Sequence, residues 1–85
     1  MRTFDYTIKD ELGIHARPAG MLAKTAKSLD SEITITKGGN TVGATKLMAL
    51  MGLGVKCGDT ITITVNGGDE EVAEKVMKEF LEENL

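Results

Sequence analysis

The chain has 85 residues, 41% of them hydrophobic, which fits one globular domain over residues 1–85 and is too apolar for a disordered chain. Lys and Arg number 10 against 13 Asp and Glu, and the resulting charge of −3 argues against a nucleic-acid-binding protein, where a basic excess supplies the affinity. No apolar run approaches the roughly 20 residues that cross a bilayer, the N-terminus has no signal-peptide core, and the single cysteine, Cys57, allows no internal disulfide; a cytoplasmic protein without membrane insertion is expected.

In chain order, Phe4, Tyr6 and Ile8 alternate with Thr3, Asp5 and Thr7, and this period of two predicts a first strand. Ala19, Leu22, Ala23 and Ala26 then follow i, i+3, i+4, i+7 spacing, with Lys24 and Lys27 outside the stripe, which predicts a helix. Ile33 and Ile35, flanked by Glu32, Thr34 and Thr36, predict a second strand. The turn chemistry of Lys37-Gly38-Gly39 leads to a short third strand around Asn40 to Val42, paired with the second. A short helix is predicted over Lys46 to Gly52. Its Leu47, Met48, Ala49, Leu50 and Met51 are apolar on nearly every side, so some must face solvent, while Leu50 and Leu53 are expected in the core. Ile61, Ile63 and Val65 interleave with Thr60, Thr62, Thr64 and Asn66 as a fourth strand. Asp69 is the expected N-cap of a last helix, with Glu70 and Glu71 suited to its first turn and an apolar stripe of Val72, Ala73, Val76, Met77, Phe80 and Leu81.

The threonine-rich alternation places one face of the sheet in water, as antiparallel sheets allow. The helices must then cover the other face. The expected fold is α+β: an open-faced two-layer sandwich, with a four-stranded antiparallel sheet and three helices on one face.

The segment with chemical potential is Gly13-Ile14-His15-Ala16-Arg17-Pro18-Ala19-Gly20. Proline suits the first turn of a helix, so Pro18 places His15, the only histidine, at or just before a helix start. There the free N–H groups of Ala16 and Arg17 and the positive end of the helix dipole favour an anion. Arg17 adds a permanent cation whose planar fork matches phosphate oxygens. This cationic setting disfavours ring protonation, so a neutral, nucleophilic imidazole is expected near pH 7, and the same groups would stabilise the phosphorylated product. On the residues alone, phosphate chemistry and an ordinary helix-start histidine remain equally open.

The Gly13–Ala19 segment resembles the phosphorylation-site signature of the HPr family, the histidine-containing phosphocarriers of the bacterial phosphoenolpyruvate:sugar phosphotransferase system. The likeness extends to the Gly38-Gly39 hairpin, Leu47-Met48-Ala49-Leu50-Met51, Gly52-Leu53-Gly54 and the Gly58–Ile63 approach to the last strand. It implies that enzyme I, charged by phosphoenolpyruvate, phosphorylates His15 on Nδ1, and that the group passes to the A component of a sugar-specific enzyme II. It makes Arg17 the phosphate-stabilising arginine, and maps the partner surface onto Gly20, Lys24, Lys27, Leu47, Met48 and Met51. The cation-only stretch from Arg17 to Lys27 suits an acidic partner. No cofactor or metal is implied, and a monomer is expected.

Two departures from the family pattern stand out. Many Gram-positive relatives carry a kinase-phosphorylated serine at position 46; here it is Lys46, with Thr45 displaced by one residue as the only neighbouring hydroxyl. Gly20 stands where relatives often have alanine, which loosens the helix by up to about 1 kcal/mol. Two other readings are a regulatory binding module of the same fold, docking on a transcription factor (a catabolite regulator) or an enzyme through the Met48 surface, and a hydrolase with His15 as base. The binder has no need of the His15–Arg17 pair, and the hydrolase lacks a nucleophile or an orienting carboxylate nearby in sequence.

Overall fold

A computed structural model describes residues 1–85. In chain order the elements are β1 (Arg2–Thr7), α1 (Ala16–Lys27), β2 (Glu32–Lys37), β3 (Asn40–Gly43), α2 (Leu47–Gly52), β4 (Thr60–Asn66) and α3 (Glu70–Asn84). The four strands form one antiparallel sheet in the order β1-β4-β2-β3, as the alternation of Ile and Thr requires of a sheet with one wet face. Register aligns the apolar positions into rows: Phe4, Ile63, Ile35 and Val42 lie side by side across all four strands. The opposite face carries Asp5, Thr62, Thr36 and Thr41 in the next row. Hydroxyls pair along it, with Thr62 Oγ1 donating to Asp5 Oδ1 at 2.7 Å and Thr36 and Thr41 sharing a 2.8 Å bond.

The helices cover the isoleucine face and enclose one core of 19 buried hydrophobic residues. In α1 the buried stripe is Pro18, Ala19, Leu22, Ala23 and Ala26, small enough for the helix to pack closely on α2 and α3. Leu50 is the fully buried residue of α2, and Leu53 packs against the core edge, as the sequence predicts. In α3 the expected stripe needs correction. Ala73, Met77, Phe80 and Leu81 are buried, but Val72 is 50% exposed and Val76 only half-buried. At 100° per residue the inward line runs 73, 77, 80, 81, which leaves Val72 and Val76 on its flank. The same helix shields the outer strand: Tyr6 Oη donates to Leu81 O at 3.0 Å, and Lys78 Nζ lies 5.1 Å from the Phe4 ring centre. Burial, with Glu82 nearby as a lesser cause, pushes the Tyr6 phenol up from its ordinary value.

The N-cap of α3 forms as its sequence implies, with Asp69 Oδ1 accepting from the Val72 N–H at 3.3 Å. Glu70 binds the Met1 ammonium at 2.8 Å and caps the Gly67 N–H at 2.7 Å, and these two bonds hold its carboxyl below the ordinary range. Asp59 is likewise held low, first by the Lys56 N–H at 2.8 Å and then by Lys37 Nζ at 3.0 Å. A carboxylate whose folded value is depressed contributes stability above its unfolded value and loses it as pH falls through the folded one. Stability should therefore decline between about pH 5 and pH 2. The double variant Asp59→Asn/Glu70→Gln should start lower at neutral pH and decline less steeply across that window, as read from urea midpoints.

Candidate functional site

The loop between β1 and α1 is folded by its own polar groups. Asp10 Oδ1 accepts from the Leu12 N–H at 2.8 Å, and Asp10 O accepts from the Gly13 N–H at 3.0 Å, closing a tight turn. Leu85 O receives the N–H groups of Lys9 and Asp10, at 2.6 and 2.8 Å, so the end of the chain clamps the same loop. Gly13 has φ +69, and the Ile14 N–H then binds Val55 O at 3.1 Å. Ile14 is buried and anchors the loop to the core, so the next residue turns outward.

That next residue is His15. It is the N-cap of α1, with extended backbone at φ −103 and ψ −177, and its carbonyl accepts the Ala19 N–H at 3.0 Å. Its side chain makes no capping bond and is 37% exposed. Pro18 is the third helical residue, where a missing N–H removes no helical bond. The N–H groups of Ala16 and Arg17 have no partner in the protein, and the first turn of α1 contains no acidic residue. The positive helix end therefore opens to solvent beside the imidazole.

Around this end lies a concavity of about 310 Å³ lined by Asp10, His15, Arg17, Pro18, Met21, Glu83 and Asn84. His15 and Arg17 thus share one surface. Gly20, Lys24 and Lys27 continue along α1, and Leu47, Met48 and Met51 lie on α2, which packs beside it; none of the six lines the concavity. Met48 is 77% exposed, and Leu47 and Met51 are also on the surface.

Sequence reasoning missed several of the lining residues. The most consequential is Asp10, whose Oδ1 lies 3.8 Å from His15 Nε2. Contrary to the expectation from sequence, an orienting carboxylate does lie beside His15, and the setting of the ring is not purely cationic. The signal was available, since Asp10 is five residues upstream in the same loop. Met21 follows Arg17 by one helical turn and so shares its face. Glu83 and Asn84 arrive by the packing of α3, which no local pattern reports.

Residues 2–83 match the family model described as the PTS HPr component phosphorylation site. The chain belongs to the HPr family. HPr of Mycoplasma genitalium is 42% identical over 85 residues, covering 99% of this chain and 97% of that one. The solved structure of a Mycoplasma histidine-containing phosphocarrier superposes with a TM-score of 0.92 at 34% identity, over 96% of this chain and 93% of the other. An HPr from Thermoanaerobacter tengcongensis gives 0.91 at 35% identity, over 96% and 92%. The chain is accordingly an HPr phosphocarrier of the phosphotransferase system, with the open-faced fold of those structures.

Within this family frame Lys46 is a distinctive feature. It is the N-cap of α2, extended at φ −102 and ψ 93, and offers no side-chain acceptor to the helix. A cationic residue at this position is also unfavourable beside the positive end of the helix dipole. Lys46→Ser supplies the missing acceptor and removes the charge, so it should stabilise the protein by about 0.5–1.5 kcal/mol. A rise in the thermal midpoint checks this, and an unchanged or lowered midpoint would refute it.

Proposed function

We propose that His15 Nδ1 is the phosphoryl acceptor, that enzyme I charged by phosphoenolpyruvate is the donor, and that the A component of a sugar-specific enzyme II receives the group in the cytoplasm. The observation that carries the proposal is the placement of an exposed imidazole at the open N-terminus of α1, beside Arg17 and two unpaired backbone donors. The Nδ1 lone pair attacks the phosphorus of the donor. The oxygens of the transferred group then accept from the Arg17 guanidinium and from the Ala16 and Arg17 N–H groups. The chain itself supplies the acceptor and its anion cradle; further groups for the transfer come from the partner.

Gly20, Lys24, Lys27, Leu47, Met48 and Met51 form the proposed docking surface, in which flexible methionines adapt to more than one partner. Incubation with enzyme I and phosphoenolpyruvate should add the mass of one phosphate, lost again in acid; an unmodified mass would overturn the proposal. Met48→Asp should fold normally, because the side chain is exposed, yet at sub-saturating enzyme I it should be phosphorylated about 10-fold more slowly, the scale of a moderate interface contact. An unchanged rate would remove Met48 from the docking surface.

A further inference from the structure

Asp10 is fixed more firmly than a surface loop residue requires. Its N–H is bound to Leu85 O, its carbonyl to the Gly13 N–H, and its Oδ1 to the Leu12 N–H. These bonds aim the carboxylate at Nε2 of His15, at 3.8 Å. The other charged groups lining the same concavity are Arg17 on α1 and Glu83 on α3, and the Glu83 carboxylate makes no ion pair with the ring. We propose that Asp10 is a positioning residue that holds the ring proton of His15 on Nε2 and so leaves Nδ1 bare as the nucleophile. The inference rests on the proposal that His15 accepts the phosphoryl group.

A neutral imidazole carries its proton on one nitrogen and a lone pair on the other. A carboxylate facing Nε2 favours the proton there. At 3.8 Å the effect is that of the carboxylate's field rather than of a direct hydrogen bond. In the transfer, the phosphorus bond to the donor breaks as the Nδ1–P bond forms, while the Nε2 hydrogen stays in place. The product ring is then cationic beside a dianionic phosphoryl group, and Asp10 stabilises it. In the onward step the Nδ1–P electron pair returns to the ring, which departs as neutral imidazole. A ring that had lost the Nε2 proton would have to leave as an anion. One carboxylate thus serves acceptance and donation alike.

The capping of Leu12 needs only an oxygen acceptor, whereas the effect on His15 needs the charge. Asp10→Asn and Asp10→Ser therefore separate the two roles, since both can still accept from the Leu12 N–H. Long-range 1H–15N spectra of the unphosphorylated chain, taken where the ring is neutral, report which nitrogen bears hydrogen, and backbone amide shifts verify the fold. The share of Nδ1–H ring should rise about 2- to 5-fold in both variants. After chemical phosphorylation with phosphoramidate, the phosphohistidine half-life near pH 8 should lengthen by about the same factor, because fewer rings keep the Nε2 proton. Unchanged tautomer shares and half-lives would overturn the proposal, as would an equally large shift in Glu83→Gln, which would assign the effect to the general negative field. The spectra require no phosphorylation. A chain that enzyme I cannot phosphorylate would therefore refute the carrier proposal while leaving the tautomer result standing.

Discussion

His15→Ala should retain the fold and lose all acid-labile phosphate. The imidazole is more than a third exposed and makes no capping bond, so its removal falls within the roughly 0.5 kcal/mol range of surface changes. The bonds made by its backbone, Ala19 N–H to His15 O and His15 N–H to Gly13 O, survive in alanine. The chain has no second histidine to take over. Arg17→Ala, by contrast, should leave a slow acceptor. It removes charged hydrogen bonds worth about 1.5–3 kcal/mol, or roughly 10- to 150-fold in transfer rate, while the backbone donors remain. Arg17→Lys should recover only part of this, since an ammonium lacks the planar fork. Intact-mass time courses with enzyme I and phosphoenolpyruvate distinguish the three. Phosphate on His15→Ala would place the acceptor elsewhere, and an Arg17→Ala rate equal to wild type would remove Arg17 from the cradle.

The legibility of the fold in the sequence has a physical source. Strands whose apolar and polar residues alternate, as in Ile61-Thr62-Ile63-Thr64-Val65, state both their period and which face is wet; three strands form where that pattern places them, and the fourth, β3, forms where the Gly38-Gly39 turn places it. The start of α1 was readable because Pro18 restricts where a helix begins. The buried stripe of α3 is narrower than its apolar residues suggest, because Val72 and Val76 are apolar without being inward, and composition alone does not give the angle at which a helix meets a sheet. At the site, local signals place His15, Ala16 and Arg17 on one helix start. Asp10 is within local reach, five residues upstream in a turn closed by its own bonds to Leu12 and Gly13, but the clamp on that turn from Leu85, 75 positions away, and the arrival of Glu83 with α3 are not. Those contacts belong to tertiary packing, which leaves no period in the sequence.

Gly13→Ala should be the most damaging single methyl in the molecule. Gly13 has φ +69, a region where a side chain costs about 1–2 kcal/mol. Space is the larger obstacle. A Cβ here would lie 2.7 Å from the Lys56 Cα and closer still to Val55 O, and both are backbone atoms that cannot rotate away. Relief requires the loop to lift from residues 55–56, which breaks the Ile14 N–H to Val55 O bond and draws Ile14 out of the core. Strain and overpacking together come to about 2–5 kcal/mol, a large share of the total for a domain this size, and the thermal midpoint should fall by at least about 10 °C. Gly54→Ala is the internal control. Its φ is +66, but nothing lies within 4 Å of the added methyl, so only the conformational part, about 1–2 kcal/mol, should appear. Equal destabilisation of the two variants would eliminate the steric argument. A further effect is expected of Gly13→Ala alone. Ile14 is the anchor that turns His15 outward, so phosphoryl acceptance should also slow at temperatures where the variant is still folded. The loop that buries Ile14 and the site that presents His15 are one structure, and a methyl that lifts the first displaces the second.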